Sequence, residues 1–400
     1  MKLSLLTLTL LFSNFIFAQE KIDPEKYFEN VSALERSQYI EIAETVNPKI
    51  KPLSTSDVLA ELSETCGYEY KRDSNGIPVL PTVECNYLPA KADNPLDGMT
   101  PKFNCAFNKD SDKKPEGKLK KYKVKYSLKN VDQKEIPQAV LTASLMRLLG
   151  FYADTYCPAI VVCKGCSPDP WSHKSQAPIL ADSVVQFKNA VVEHKVKGEK
   201  ITVTRTPQHP KPLGFEWKEL TRTTKNLNPD EKRALLIERE ALMMFNNFVY
   251  HTDADPHNNR LVCREWVDNG TALRCTDVAA FTHDVGDSFK KMDFGFFEDY
   301  KPLSSGGGFL GGTACQGGLD KGEGAIVDAV YSDESRNEFL RRFDLVSDQQ
   351  LSDLLELAQV RKMGVEPQRW INAFRKNANS MRSVKCPSFD SGKSVLGGRI

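Results

Sequence analysis

Nine residues, HTDADPHNN at 251–259, hold two histidines, two aspartates and two asparagines between one apolar run ending in FVY and another beginning LVC. Three readings are open to such a set. Imidazole with carboxylate suits zinc, and His251, His257 and His283 with Asp253 and Asp255 supply both donor types. His251 and His257 flank a proline, however, and lack the i, i+4 spacing of a helical ligand pair. A polar turn without chemistry would leave many buried donors and acceptors to be satisfied. Phosphoryl transfer is the third. It needs a lysine on the phosphates, an acid to hold that lysine, an aspartate at the attacking hydroxyl and two oxygen ligands for a metal ion.

The third chemistry fits the order of residues. His251-Thr252-Asp253 is followed five positions after the aspartate by Asn258, and later by Asp284-Val285-Gly286. Protein kinases present H-x-D, an asparagine and D-x-G in the same order. A second D-x-G, Asp293-Phe294-Gly295, follows KKM, whereas VAAFTHD brings an apolar strand to Asp284. Asp284 is therefore the preferred metal aspartate. No G-x-S-x-G is present to anchor a serine nucleophile.

These residues need elements to hold them. NPDEKRALLIEREALMMFNNFVYH reads as a long helix, capped by Asn228, that delivers the chain into the polar loop. LVCREWVDNGTALRC then reads as a hairpin about Asp268-Asn269-Gly270, with Cys263 directly opposite Cys275 and bonded to it. Upstream, LKKYKVKYSL alternates strictly: Tyr122, Val124 and Tyr126 face one way, Lys121, Lys123 and Lys125 the other. PQAVLTASLMRLLG follows as a helix opened by Pro137 and closed by Gly150. Further strands are expected at 97–107, in CPAIVVC, in ILADSVVQF and in EKITVTRT. A short helix in TSDVLAELSETC is expected to be capped by Thr55 or Ser56, and SSGGGFLGGTACQGG at 304–318 reads as a mobile loop. The predicted class is α+β, with a strand-rich half followed by a helix-rich half.

Residues 1–18 have a lysine, a short apolar core and a terminal alanine, the form of a secretory signal peptide. No later segment is long and apolar enough to span a bilayer. All ten cysteines lie beyond this leader, an even number that suits disulfides in an exported chain, whether periplasmic or extracellular. CKGC at 163–166 has no partner motif for zinc and is expected to close on itself. Loss of the leader removes Lys2 and leaves 53 basic against 53 acidic side chains. That balance offers no footprint for nucleic acid.

The segments GMTPKF, VKYS, EIP before a helix ending LLGFYAD, VVCKGCSPDPW, and the D-x4-NN and D-x-G-x-S-F motifs together resemble a group of exported bacterial protein-kinase-like chains. That group resembles in turn the atypical superfamily of HipA-like, phosphoinositide-kinase-like and secretory-pathway kinases. The resemblance implies a bilobal kinase-like fold: an N-terminal helical and loop extension at 19–92, an N-lobe at 93–215 and a C-lobe at 216–400. It implies ATP with Mg²⁺, or Mn²⁺, as cofactors. Lys125 would take the phosphates, with Lys123 as fallback, and Glu135 would hold that lysine. Asp253 would be the catalytic aspartate, Asn258 and Asp284 the metal ligands, and Gly98 a turn over the phosphates. Glu135 stands at the very start of its helix, where such a glutamate normally projects from the middle. Two functions follow. One is an exported Mg-ATP-dependent phosphotransferase acting on a hydroxyl of a protein, glycan, lipid or small molecule. The other is a catalytically inactive binding module with the same fold.

Overall fold

The computed structural model describes residues 22–48, 57–92, 95–96, 98, 100–107, 120–127, 135–203, 213–289, 315–317, 326 and 329–397. The leader, the Asp293 motif and most of the 304–318 segment lie outside these residues.

Three helices come first: α1 (Pro24–Phe28), α2 (Ala33–Ile42) and α3 (Val58–Cys66). Ser32 and Glu35 cap α2 reciprocally. The cap of α3 is Asp57, not Thr55 or Ser56. Its carboxylate accepts the Leu59 N–H at 2.9 Å, one residue nearer the apolar run than expected. A minimal ribbon, β1 (Lys71–Arg72) with β2 (Pro78–Val79), follows.

The next strands are β3 (Thr82–Leu88), β4 (Lys102–Ala106) and β5 (Tyr122–Tyr126). After α4 (Glu135–Leu148) come β6 (Thr155–Lys164) and β7 (Val184–His194). The five strands close a barrel in the order β3-β4-β5-β7-β6, sealed by a parallel β3–β6 pair among antiparallel neighbours. The alternation in β5 has its physical cause here. Tyr126 meets Phe103 and Phe187 with ring centroids 5.6 and 4.6 Å apart inside the barrel. The opposite face is not uniformly solvated as a lysine row suggests, for Lys125 is only 2 % exposed.

Beyond the barrel run β8 (Glu199–Ile201), α5 (Pro229–Phe248), β9 (Asn259–Asp268) and β10 (Leu273–Thr282). The α5 cap is the expected one: the Asn228 side chain accepts the Glu231 N–H at 3.0 Å. Three helices follow, α6 (Asp333–Asp344), α7 (Asp348–Leu357) and α8 (Pro367–Ser383), and the Phe248 ring lies 5.1 to 5.9 Å from Phe339 and Phe343 of α6 and Phe374 of α8. The architecture is α+β.

Two expected boundaries cut through pairings. β3, placed by sequence in the 19–92 extension, is a barrel strand. β8, placed in 93–215, pairs with β9 in a three-stranded sheet β10-β9-β8. The extension itself is tied to the core. The fully buried Arg239 of α5 donates to the carbonyls of Ile40 and Leu220, both at 2.8 Å, and also to that of Ala43.

The hairpin forms in a different register from the one expected. Asp268 pairs with Leu273, so the loop has four residues. The Asn269 side chain accepts the Ala272 N–H at 2.9 Å, and Asp268 accepts the Gly270 N–H at 2.8 Å, which holds the longer turn closed. Irregular pairing between Cys275 and Val278 sets Cys275 opposite Trp266 and Cys263 opposite Val278. The Cys263–Cys275 disulfide still forms, diagonally, with Cα atoms 5.6 Å apart. Bonds also join Cys66 to Cys157, Cys85 to Cys105, Cys163 to Cys166 and Cys315 to Cys386, leaving no free cysteine. No helix among the described residues is long and apolar enough to cross a membrane. Both facts are consistent with an exported chain.

Candidate active site

Lys125 leaves the middle of the barrel wall and ends between two carboxylates. Its Nζ lies 3.1 Å from Glu135 Oε1 and 2.7 Å from Asp284 Oδ1. Glu135 is the first residue of α4, so it reaches the lysine from the start of the helix and not from its middle. Asp284 follows β10 in the left-handed region, at φ 56° and ψ 49°. That bend turns its carboxylate back toward the barrel. Gly286 explains the D-x-G spacing: a Cβ there would overlap Cγ of Glu135. Gly286→Ala is accordingly expected to push Glu135 off Lys125. Denaturant melts of Gly286→Ala, Glu135→Ala and the double variant should show a coupling energy of at least about 0.5 kcal/mol; strict additivity would contradict the contact.

Burial opposes the ammonium of Lys125, but Tyr156, Asp284, Glu135 and Glu193 around it keep the group charged well above the ordinary lysine range. Burial likewise works to raise the Asp284 carboxyl. Lys125, then His283 and Lys102, outweigh it and hold that carboxyl well below the usual range. Lys123, on the same strand, faces Glu193 at 3.3 Å instead. Of the two candidate phosphate lysines, Lys125 is the one that Glu135 and Asp284 hold.

The polar loop hangs between α5 and β9. Asp255 organises it, its carboxylate accepting the N–H groups of His257 at 2.8 Å and Asn258 at 3.0 Å. Asn258 Nδ2 donates to the Asp253 carbonyl at 3.0 Å, which fixes the amide. Thr252 Oγ1 donates to Asp287 Oδ2 at 2.9 Å, linking this loop to the turn that carries Asp284. Burial, then the charges of Asp255, Asp287 and Asp284, push the Asp253 carboxyl up to about 7. His251 is fully buried, and burial lowers its imidazole to about 4, so it is neutral.

Zinc on the loop histidines is not what the structure assembles. His283 turns away to Asp154, its Nδ1 2.5 Å from Oδ2. Among the described residues the side-chain groups close enough to share an ion are Asp154–Glu193–His283 and the disulfide-bound Cys85–Cys105–Cys163, neither of which includes His251 or His257.

Gly98 lies in the expected turn, at φ +99°, and a Cβ there would come within 2.8 Å of Lys102 Nζ. Lys102 itself escaped the sequence reading. It is 6 % exposed, it pairs across the sheet with Lys125, and its ammonium is lowered to about 8 by burial and by Lys125 and Lys123. Its signal was present in GMTPKF, as the one charged residue opening an apolar strand. Asp287 had no such signal, since only the folded turn shows it against Thr252.

Carboxylate and amide oxygens are the donor type that a hard divalent cation takes. Lys125 occupies Oδ1 of Asp284 and leaves Oδ2, while the anchored Asn258 amide offers its oxygen. No family model matches the chain, and no curated protein matches it. Among solved structures it is similar to the crystal structure of a Helicobacter pylori proinflammatory kinase, CtkA, at 9 % identity over 76 % of this chain and 100 % of that one, with a TM-score of 0.39. A likeness at that score decides neither fold nor function.

Proposed function

We propose that this chain is an exported kinase-like phosphotransferase that uses Mg-ATP and acts on a hydroxyl acceptor. One observation carries the reading: Lys125 is held between Glu135 and Asp284, while the loop bearing Asp253 and Asn258 is hydrogen-bonded to the turn that bears Asp284. In this reading the barrel with α4 is the N-lobe, beginning at β3, and the chain from β8 onward, with its three-stranded sheet and helices, is the C-lobe.

Each residue then has a task. Lys125 binds the α- and β-phosphates, and Glu135 keeps its ammonium aimed at them. Asn258 and Asp284 would hold Mg²⁺ or Mn²⁺, which when bound neutralises charge on the phosphates. Asp253 accepts the proton of the attacking hydroxyl. A carboxyl raised to about 7 is half ionised near neutrality, where a general base works best. Gly98, at positive φ, would let the backbone approach the phosphates closely.

The test is turnover of ATP labelled in turn at the γ- and α-phosphate, by the mature chain with Mg²⁺ or Mn²⁺. Release or transfer of the γ label supports phosphoryl transfer. Covalent retention of the α label instead points to AMP transfer by the same site. Nucleotide binding without turnover selects the inactive binding module, and absence of both rejects the reading.

A further inference from the structure

Three side chains from separate segments converge beside this site: Asp154 between α4 and β6, Glu193 on β7, and His283 just after β10. One ligating atom of each lies within 4.8 Å of the other two. The residues are 5 %, 3 % and 8 % exposed. His283 faces Asp154, and Asp154 Oδ1 accepts the Val196 N–H at 2.8 Å. Glu193 differs from both. Neither of its oxygens receives a hydrogen bond, and its charge is met by Lys123 at 3.3 Å and Lys195 at 3.9 Å. A buried carboxylate that no hydrogen bond satisfies, and that lysines alone neutralise, offers both oxygens to a cation that binds it directly.

We propose that Asp154, Glu193 and His283 form a binding site for one divalent transition-metal ion, zinc or manganese. One imidazole with two carboxylates is a borderline donor set, too nitrogen-rich for calcium and lacking the thiolates of softer ions. Metal–ligand bonds of about 2.0–2.2 Å place ligand atoms about 3–4 Å apart, within small side-chain adjustments of the present spacing. Lys123 is the competitor. Its side chain is 27 % exposed and can withdraw to solvent, and Lys195 is already 66 % exposed. Arg260 stays near the cluster on the carbonyl oxygens of His257 and Asn259. An ion here fastens the end of β10, one residue before Asp284, to the barrel.

The test needs no nucleotide and so stands apart from the function proposed above. Metal-depleted mature chain with its disulfides intact is titrated with Zn²⁺ alone and with Mn²⁺ alone, followed by calorimetry and metal analysis. One ion per chain is expected for at least one of the two metals. Glu193→Gln and His283→Ala should each weaken binding at least tenfold. Lys123→Gln should tighten it severalfold by removing the competing cation, a gain that a purely structural ion-pair cluster would not give. No binding by the wild type, binding indifferent to Glu193→Gln and His283→Ala, or Lys123→Gln binding no tighter than the wild type would each overturn the proposal. If Glu193→Gln and His283→Ala fail to fold, Lys123→Gln alone decides it.

Discussion

Lys125→Met is expected to abolish ATP turnover and to destabilise the chain by about 2–3 kcal/mol at pH 7. The methylene stem is replaced closely, so packing changes little and the loss is electrostatic. Removing the cation leaves Glu135 and Asp284 facing each other, and breaking a fully buried pair in this way costs about 3–5 kcal/mol. The figure here is smaller because the Glu135 and Asp284 side chains keep 31 % and 40 % exposure and regain some hydration. The pH dependence has a definite sign. Lys125 holds the Asp284 carboxyl below its unfolded value, so this part of the stability is present above the ordinary aspartate range and is lost as the pH falls through the folded value. Urea melts should therefore show the gap between wild type and Lys125→Met narrowing below about pH 4. A gap that is flat with pH would mean that Lys125 acts through packing.

Asp253→Asn is expected to cost about 10²–10⁴-fold in turnover while stabilising the fold in alkaline solution. Its carboxyl is raised in the folded chain to about 7, chiefly by burial. A raised carboxyl binds its proton more tightly folded than unfolded, so stability falls as the pH climbs from about 4 to 7. An amide cannot ionise and escapes that loss. At pH 8 the variant should be more stable than wild type by about 1–2 kcal/mol, a figure discounted because the group is partly exposed. At pH 4 the two should nearly coincide. Wild-type turnover should rise through about pH 7 on its acid limb, and that limb should vanish in the variant. Equal stability at pH 8 would remove the physical basis for assigning Asp253 as the base.

Much of the scaffold was legible because it follows local rules. The alternation of Tyr122, Val124 and Tyr126 marks β5, and the Asn228 cap with its apolar tail marks α5. The polar loop was legible for the same reason, since residues so dense in donors must be organised, and Asp255 does it. Long-range pairings were not. Nothing in the sequence around β3 tells it to pair in parallel with β6 and close the barrel, and nothing near β8 assigns it to the β9 edge. Side-chain chemistry also misled the eye at the hairpin. Asp268 and Asn269 mark a turn correctly, but their side chains satisfy a longer loop than the DNG triplet suggests. Lys102 shows the remaining limit: a lysine at a strand start looks solvated until the opposite strand places Lys125 beside it.

Thermal unfolding of the chain with ATP and Mg²⁺ bears most directly on the Lys125–Glu135–Asp284 site. A ligand that binds only the folded state raises the midpoint, by about 2.7 kcal/mol of stabilisation at one hundred times its dissociation constant. The wild type should shift with ATP and Mg²⁺ together, shift less with ATP alone, and lose most of the shift in Asp284→Ala. Asp253→Asn should keep the shift, since that carboxylate meets the acceptor and not the phosphates. A wild type whose midpoint ignores ATP with either Mg²⁺ or Mn²⁺ would contradict a nucleotide site at Lys125 altogether.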